Sequence, residues 1–353
     1  MSYCINPKCS DRCNPDRSER CQACDTPLLI QGRYRLIRPL RDLDEWGNTE
    51  IFEVDDQGVS KVLKILKTPR LLPLFEREVK TLQQLQHPGI PQVEPDGYFT
   101  LSLENGLEVY CLVMEKITGE NLEDWMEKRG PIDQPLALKW LSQLAEILDQ
   151  VHRNELFHRD IKLSNIMLRP NDHLALIDFG TVRKVTNTYL AKIGGRRDVT
   201  SVVSPGYTPL EQINGKAVPQ SDFYALGRSF VYLLTGKHPV DFEEDSQTGQ
   251  LNWRDHAPTI SPWFANLIDD LMAPFPGQRP LNAQEILRRL ATGPTWPQPR
   301  IMSKITYVHL LAAINIGLLI AQLVVIGWKW SSYRQYRFNQ GSDARIEIVG
   351  DRT

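Results

Sequence analysis

One short run of the chain, His158-Arg159-Asp160-Ile161-Lys162-Leu163-Ser164-Asn165, is followed soon after by Asp178-Phe179-Gly180. Together these residues hold a carboxylate able to orient a hydroxyl, a lysine for a transferred phosphate, and two oxygen-bearing side chains able to ligate a hard divalent cation. That is the set phosphoryl transfer needs. Its transition state is loose, so a protein contributes mainly positioning and charge stabilisation.

The flanking patterns supply elements to hold such a set. Leu174-Ala175-Leu176-Ile177 reads as a buried strand leading directly into Asp178. Lys61-Val62-Leu63-Lys64-Ile65-Leu66 alternates its faces as a strand does, with Lys64 on one of them. Leu74 to Leu82 has helical apolar spacing at Leu74/Phe75, Val79 and Leu82, and carries two carboxylates, Glu76 and Glu78. His87-Pro88 closes that helix, because proline restricts the residue before it. A third apolar strand, Tyr110 to Ile117, contains Met114-Glu115 near its end.

The two polar runs match H-R-D-x-K-x-x-N and D-F-G in order and spacing, and over about 33–290 the chain resembles the eukaryotic-type protein kinase superfamily, Ser/Thr branch. The resemblance implies an α+β, two-lobed fold: a small β-rich N-lobe with one key helix, a helical C-lobe, and ATP in the cleft between them. It assigns Asp160 to the substrate hydroxyl, Lys162 to the γ-phosphate, and Asn165 and Asp178 to Mg²⁺, with Mn²⁺ as a substitute. Lys64 takes the slot of the ATP-binding lysine and Glu78 that of its helix partner, with Glu76 as the competing register. Met114 borders the adenine pocket, and the backbones of Glu115 and Ile117 face the adenine edge. Further on, Ser204-Pro205-Gly206-Tyr207-Thr208-Pro209-Leu210-Glu211 resembles T-P-G-Y-x-A-P-E, which pairs Glu211 with Arg279, sets Ser204 beside Asp160 and Lys162, and has Asp222 brace the catalytic loop. Protein substrates follow, with Lys162 pointing to Ser/Thr acceptors, and a homodimer is a route to autophosphorylation.

One part of the pattern is eroded. The family covers the phosphates with G-x-G-x-x-G, whose missing side chains let backbone N–H groups approach. Here the run is Leu40-Arg41-Asp42-Leu43-Asp44-Glu45-Trp46-Gly47-Asn48-Thr49, in which only Gly47 survives and three carboxylates would face phosphate if turned inward. This motivates a rival reading, a pseudokinase or scaffold that binds nucleotide without efficient transfer. Between Gly180 and Ser204, the hydroxyls Thr186, Thr188, Thr200 and Ser201 lie among basic residues, as in a loop ordered by phosphorylation.

The N-terminal segment, 1–30, holds Cys4, Cys9, Cys13, Cys21 and Cys24. Cys4-x4-Cys9 and Cys21-x2-Cys24 make two hooks for one tetrahedral Zn²⁺, with Cys13 as an alternative to Cys9. A disulfide or redox-sensing set is the competing reading, and a second rival role for the chain is an adaptor that merely displays this hook. Its mixed charge leaves no nucleic-acid footprint.

Residues 291–304 read as a Pro-rich linker, and 305–328 contains no charged residue, long enough to cross a bilayer as one helix, with a short tail at 329–353. With the cysteine hook in front, the chain looks like bacterial membrane-associated Ser/Thr kinases, with the kinase domain expected in the cytoplasm. Its first residues are cysteine-rich and polar, unlike a secretory leader. At 353 residues, 41% hydrophobic and net charge −2, the composition accommodates one two-lobed domain and implies no polyanionic partner.

Overall fold

The computed structural model describes residues 1–43, 47–104, 106–184 and 203–294. Trp46, the hydroxyls at 186, 188, 200 and 201, the expected membrane span 305–328 and the tail 329–353 lie outside them. Among the described residues no helix is long and apolar enough to cross a membrane.

The first strands are short: β1 (Ser2–Tyr3) pairs antiparallel with β2 (Cys13–Asn14). Then come β3 (Leu29–Ile30), β4 (Tyr34–Pro39), β5 (Thr49–Asp56), β6 (Val59–Leu66), helix α1 (Leu72–Gln84), β7 (Tyr98–Ser102) and β8 (Glu108–Glu115). These strands form a six-stranded antiparallel sheet ordered β3-β4-β5-β6-β8-β7. Side chains alternate across it, as the strand period of two requires. In β5, Glu50, Phe52, Val54 and Asp56 are buried while Ile51 and Glu53 point the other way. Phe52, Val54, Leu63 and Ile65 build an apolar cluster on one face, which Ile5 of the N-terminal segment joins. The opposite face is left for the cleft and α1. This helix buries Phe75, Glu78, Val79 and Leu82, the i, i+3, i+4, i+7 stripe of a half-buried helix. It stops at Gln84, before His87-Pro88, where Leu85 turns extended while its N–H still reaches Thr81.

The C-lobe follows with β9 (Glu120–Asn121), α2 (Leu122–Arg129), α3 (Gln134–Arg153), β10 (Leu156–Phe157), β11 (Ile166–Leu168) and β12 (Leu174–Leu176). After the undescribed segment come α4 (Leu210–Ile213), α5 (Pro219–Thr235), α6 (Pro262–Leu271) and α7 (Ala283–Thr292). Four of these helices, α2, α3, α6 and α7, begin where a short polar side chain can take an orphan N–H. Asn121, Asp133, Ser261 and Asn282 each accept from the backbone three residues on. Helix α5 is buried around most of its circumference, which makes it the centre of the lobe. β9, β11 and β12 form a small sheet whose hairpin carries the chain from Asn165 to Asp178. This is the two-lobed α+β fold the resemblance implies.

The cysteine segment is packed on the outer face of the N-lobe sheet. Arg12 Nη1 lies 2.9 Å from Glu50 Oε2, and its guanidinium sits 5.1 Å from the Phe52 ring centre. The other Glu50 oxygen meets Lys67 at 3.2 Å. Both charges of the Arg12–Glu50 pair are buried, so the segment is held by desolvated contacts and not by a loose tether.

Candidate active site

Strand and helix bring the first half of the site together. Lys64, on the cleft side of β6, donates to Glu78 Oε1 at 2.8 Å and Oε2 at 2.9 Å, both side chains buried. Glu78 and not Glu76 makes this contact, because Glu78 lies on the buried stripe of α1. Lys64 also reaches Asp178 Oδ1 at 3.2 Å. Burial alone would discharge Lys64, but the Asp178 and Glu78 carboxylates outweigh it and raise its pKa. Lys64 in turn holds Asp178 well below the ordinary carboxylate value, against its own burial. Gly180 completes the corner. A Cβ there would come within 3.1 Å of Lys64 Nζ and 3.2 Å of Glu78 Oε2, so a side chain would crowd the ion pair.

The catalytic loop is a strained turn held by one buried carboxylate. Arg159 and Asp178 adopt φ of 74° and 66°, left-handed values that non-glycine residues rarely take. Asp222, in the first turn of α5, accepts from the N–H groups of His158 and Arg159, both at 2.8 Å, which fixes the turn. His158 Nε2–H donates to the Ile177 carbonyl at 3.2 Å while Nδ1 accepts from Asp160 N–H at 3.4 Å. That arrangement uses the neutral ring, and burial lowers the His158 pKa accordingly. The ring also stands edge-on to Phe179, centroids 4.9 Å apart, tying the loop to the Asp178 segment.

Asp160 is the point on which the loop converges. Its Oδ1 accepts from Ser204 Oγ at 2.7 Å, and its Oδ2 lies 3.1 Å from Lys162 Nζ. Asn165 Nδ2 donates to the Asp160 carbonyl at 2.9 Å and to Oδ2 at 3.0 Å. With its nitrogen committed, Asn165 keeps Oδ1 as the atom a hard cation would take. Lys162 Nζ also donates to Ser204 Oγ at 3.3 Å.

A cavity of about 590 Å³ opens beside these groups, within the usual range for a small-molecule cleft. Ile51, Val62, Met114 and Met167 supply apolar wall, and Lys64, Glu78 and Asp178 close its polar end. Glu115 and Ile117 line it too. The Glu115 N–H is committed to Gln92 at 2.8 Å, which leaves its carbonyl for a ligand edge. Gly47 does not line the cavity; Leu40 and Arg41 represent its loop there. Sequence reasoning passed over Ile51, Val62, Met167 and Arg41. For Ile51 and Val62 the signal was strand alternation, since both share the cleft face with Lys64. Below the loop, Arg279 Nη1 meets Glu211 Oε1 at 2.6 Å, with Ser221 Oγ on the same oxygen at 2.8 Å.

At the N-terminus the sulfurs of Cys4, Cys9, Cys21 and Cys24 lie within 4.8 Å of one another. The Cys4–Cys24 and Cys9–Cys21 separations are 3.6 Å, close to the ~3.8 Å edge of a tetrahedron with Zn–S of about 2.3 Å. Asn6 and Asn14 point amide nitrogens at Cys24 and Cys21 sulfurs, at 3.7 and 3.5 Å, as second-layer donors to thiolates do. Thr26 brings the Cys24 thiol down to about 6 against the effect of burial. Cys13 is exposed and outside the cluster.

A protein kinase domain family matches residues 54–290, and the chain belongs to that family. Serine/threonine-protein kinase B of Synechocystis sp. is 33% identical over 307 residues, covering 82% of this chain and 52% of the relative. Serine/threonine-protein kinase F of the same organism is 34% identical over 322 residues, 82% of this chain and 63% of the relative. Serine/threonine-protein kinase PknA of Nostoc sp. is 32% identical over 280 residues, 75% and 48% respectively. The chain thus spans about half to two thirds of the length of these relatives.

Proposed function

We propose that this chain transfers the γ-phosphate of ATP to serine and threonine hydroxyls of proteins. The observation that carries the reading is the convergence of Ser204, Lys162 and Asn165 on Asp160, beside a cleft whose polar end holds Lys64 and Asp178. Asp160 is an acceptor presented to an incoming hydroxyl and would take its proton. Lys162, bonded to both Asp160 and Ser204, offers a cation where the transferred group would pass. Asn165 Oδ1 and Asp178 are the atoms that fit Mg²⁺ or Mn²⁺, and the bound ion would neutralise phosphate charge. Lys64, kept charged by Glu78, would steady the nucleotide.

The cysteine cluster supports a structural Zn²⁺ held by Cys4, Cys9, Cys21 and Cys24, a fully sulfur-ligated site with no open position for catalysis. The uncharged run 305–328 supports a single membrane-spanning helix with the kinase domain on the cytoplasmic side, where ATP is. Thr186, Thr188, Thr200 and Ser201 are the proposed sites of autophosphorylation, reached from a second copy in a homodimer.

The test is transfer from labelled ATP by the chain and by Asp160→Asn, with Mg²⁺ and a generic protein acceptor. Transfer lost in the variant supports the kinase. Nucleotide binding without transfer in the unmodified chain would overturn it in favour of a pseudokinase.

A further inference from the structure

The eroded phosphate loop leaves a chemical question: which groups meet the phosphates where side chains replace the glycines that let backbone N–H groups approach. Among the described residues four cations line the cleft: Arg38, Arg41, Lys64 and Lys116. Three are committed at short range to carboxylates. Arg38 Nε lies 2.8 Å and Lys116 Nζ 2.5 Å from Glu53 oxygens, and Lys64 is on Glu78. Arg41 differs. Among the described residues its ion-pair contact is a long one, Nη1 to Asp178 Oδ2 at 3.5 Å, and 55% of its side chain is exposed. It is tied to the carboxylate that a phosphate-bound metal would claim. Asp42, the described acidic residue of the loop, is exposed and does not line the cleft, so water screens the repulsion its charge would exert on a nucleotide.

We propose that Arg41 is a phosphate-binding residue that supplies a side-chain donor where the loop lacks the glycines of a close backbone approach. Its guanidinium, held loosely against Asp178, is within reach of the end of the cleft where the β- and γ-phosphate oxygens of a nucleotide would lie, and would pair with them. The exchange trades one anion for another at the same end of the cleft. A guanidinium suits it, since its planar fork of donors matches phosphate oxygens and carries the charge that glycine N–H groups lack. The long contact to Asp178 and the high exposure leave the side chain free to swing without breaking packing. This inference rests on the reading of the cleft as a nucleotide site.

The experiment measures equilibrium binding of ATP and of adenosine, with Mg²⁺, to the 353-residue chain in detergent, to Arg41→Ala and to Arg41→Lys, by calorimetry. Loss of a charge-assisted contact should weaken ATP about 10- to 100-fold in Arg41→Ala, leave adenosine within about twofold, and place Arg41→Lys between the two. Thermal melting of each variant checks that the exposed position has not altered the fold. ATP affinity unchanged in Arg41→Ala, or adenosine weakened as much as ATP, would overturn the role of Arg41 while leaving the nucleotide cleft intact. Failure of the unmodified chain to bind either compound would overturn the cleft reading and this inference together.

Discussion

Lys64 and Glu78 stand 14 residues apart in sequence and 2.8 Å apart in space, a buried ion pair joining the cleft strand to the only α-helix of the N-lobe among the described residues. The pair aims the lysine at the cleft, with Asp178 at 3.2 Å as its second anion. Glu78→Gln keeps the size but removes one charge, so Lys64 should be drawn onto Asp178. We expect phosphate transfer to fall about 10- to 100-fold, the scale of one charge-assisted hydrogen bond. The melting temperature should fall, but only in part, because Asp178 still pairs with the buried lysine. Unchanged steady-state transfer in this variant would refute the positioning role.

Arg279 is fully buried and makes five hydrogen bonds, two to the Glu211 carboxylate and one each to the Ala273, Pro274 and Gln220 carbonyls. Arg279→Ala leaves a mostly buried carboxylate without its cation, which should cost about 3–5 kcal/mol. Arg279→Lys should recover part of it, since an ammonium keeps the charge but not the fork. Urea unfolding curves measure both; a loss under about 1 kcal/mol in the alanine variant would contradict the argument.

If the cysteine cluster holds Zn²⁺, metal analysis should find one ion per chain, lost in Cys4→Ser and retained in Cys13→Ser. Because Arg12 anchors the segment to Glu50 on the kinase sheet, metal loss should also lower the melting temperature of the kinase domain. An unchanged melt after chelation would mean that the segment folds without the ion.

Glu53 gives a pH signature away from the metal ligands. Its bond from Lys116, helped by Ser60 and Arg38, lowers its pKa from the ordinary 4.5 to about 2. A carboxyl depressed in the folded state stabilises above its unfolded value and loses that contribution as pH falls through the folded one. The stability gap between the unmodified chain and Glu53→Gln should therefore be full at neutral pH and narrow from pH 4.5 toward 2. A gap independent of pH would show that the ion pairs contribute nothing.

Much of the site was legible because its chemistry is local. Asp160, Lys162 and Asn165 share one loop, and Asp178 follows one hairpin later, so a short window holds their spacing. The alternation of β6 and the stripe of α1 follow from backbone periods, which any amphipathic segment displays in its sequence. Glu78 against Glu76 was a question of helix rotation. Burial of Phe75, Val79 and Leu82 answers it, because one helix presents one face to the cleft and Glu76 is off that face. Cys9 against Cys13 turned likewise on which thiol the turns carry inward.

Sequence alone thus determined the two-lobed fold class and singled out the loop residues and the two cysteine hooks as candidates, all patterns of residue type at short spacing. Only the tertiary structure decided what depends on the path of the chain through space. Arg41 reaches Asp178 across 137 residues, Arg279 reaches Glu211 across 68, and Arg12 finds Glu50 on the back of the sheet. A charge carries no label of its partner. The partner is set by which surfaces the core brings together, and the desolvation that makes such contacts matter exists only once that core has formed.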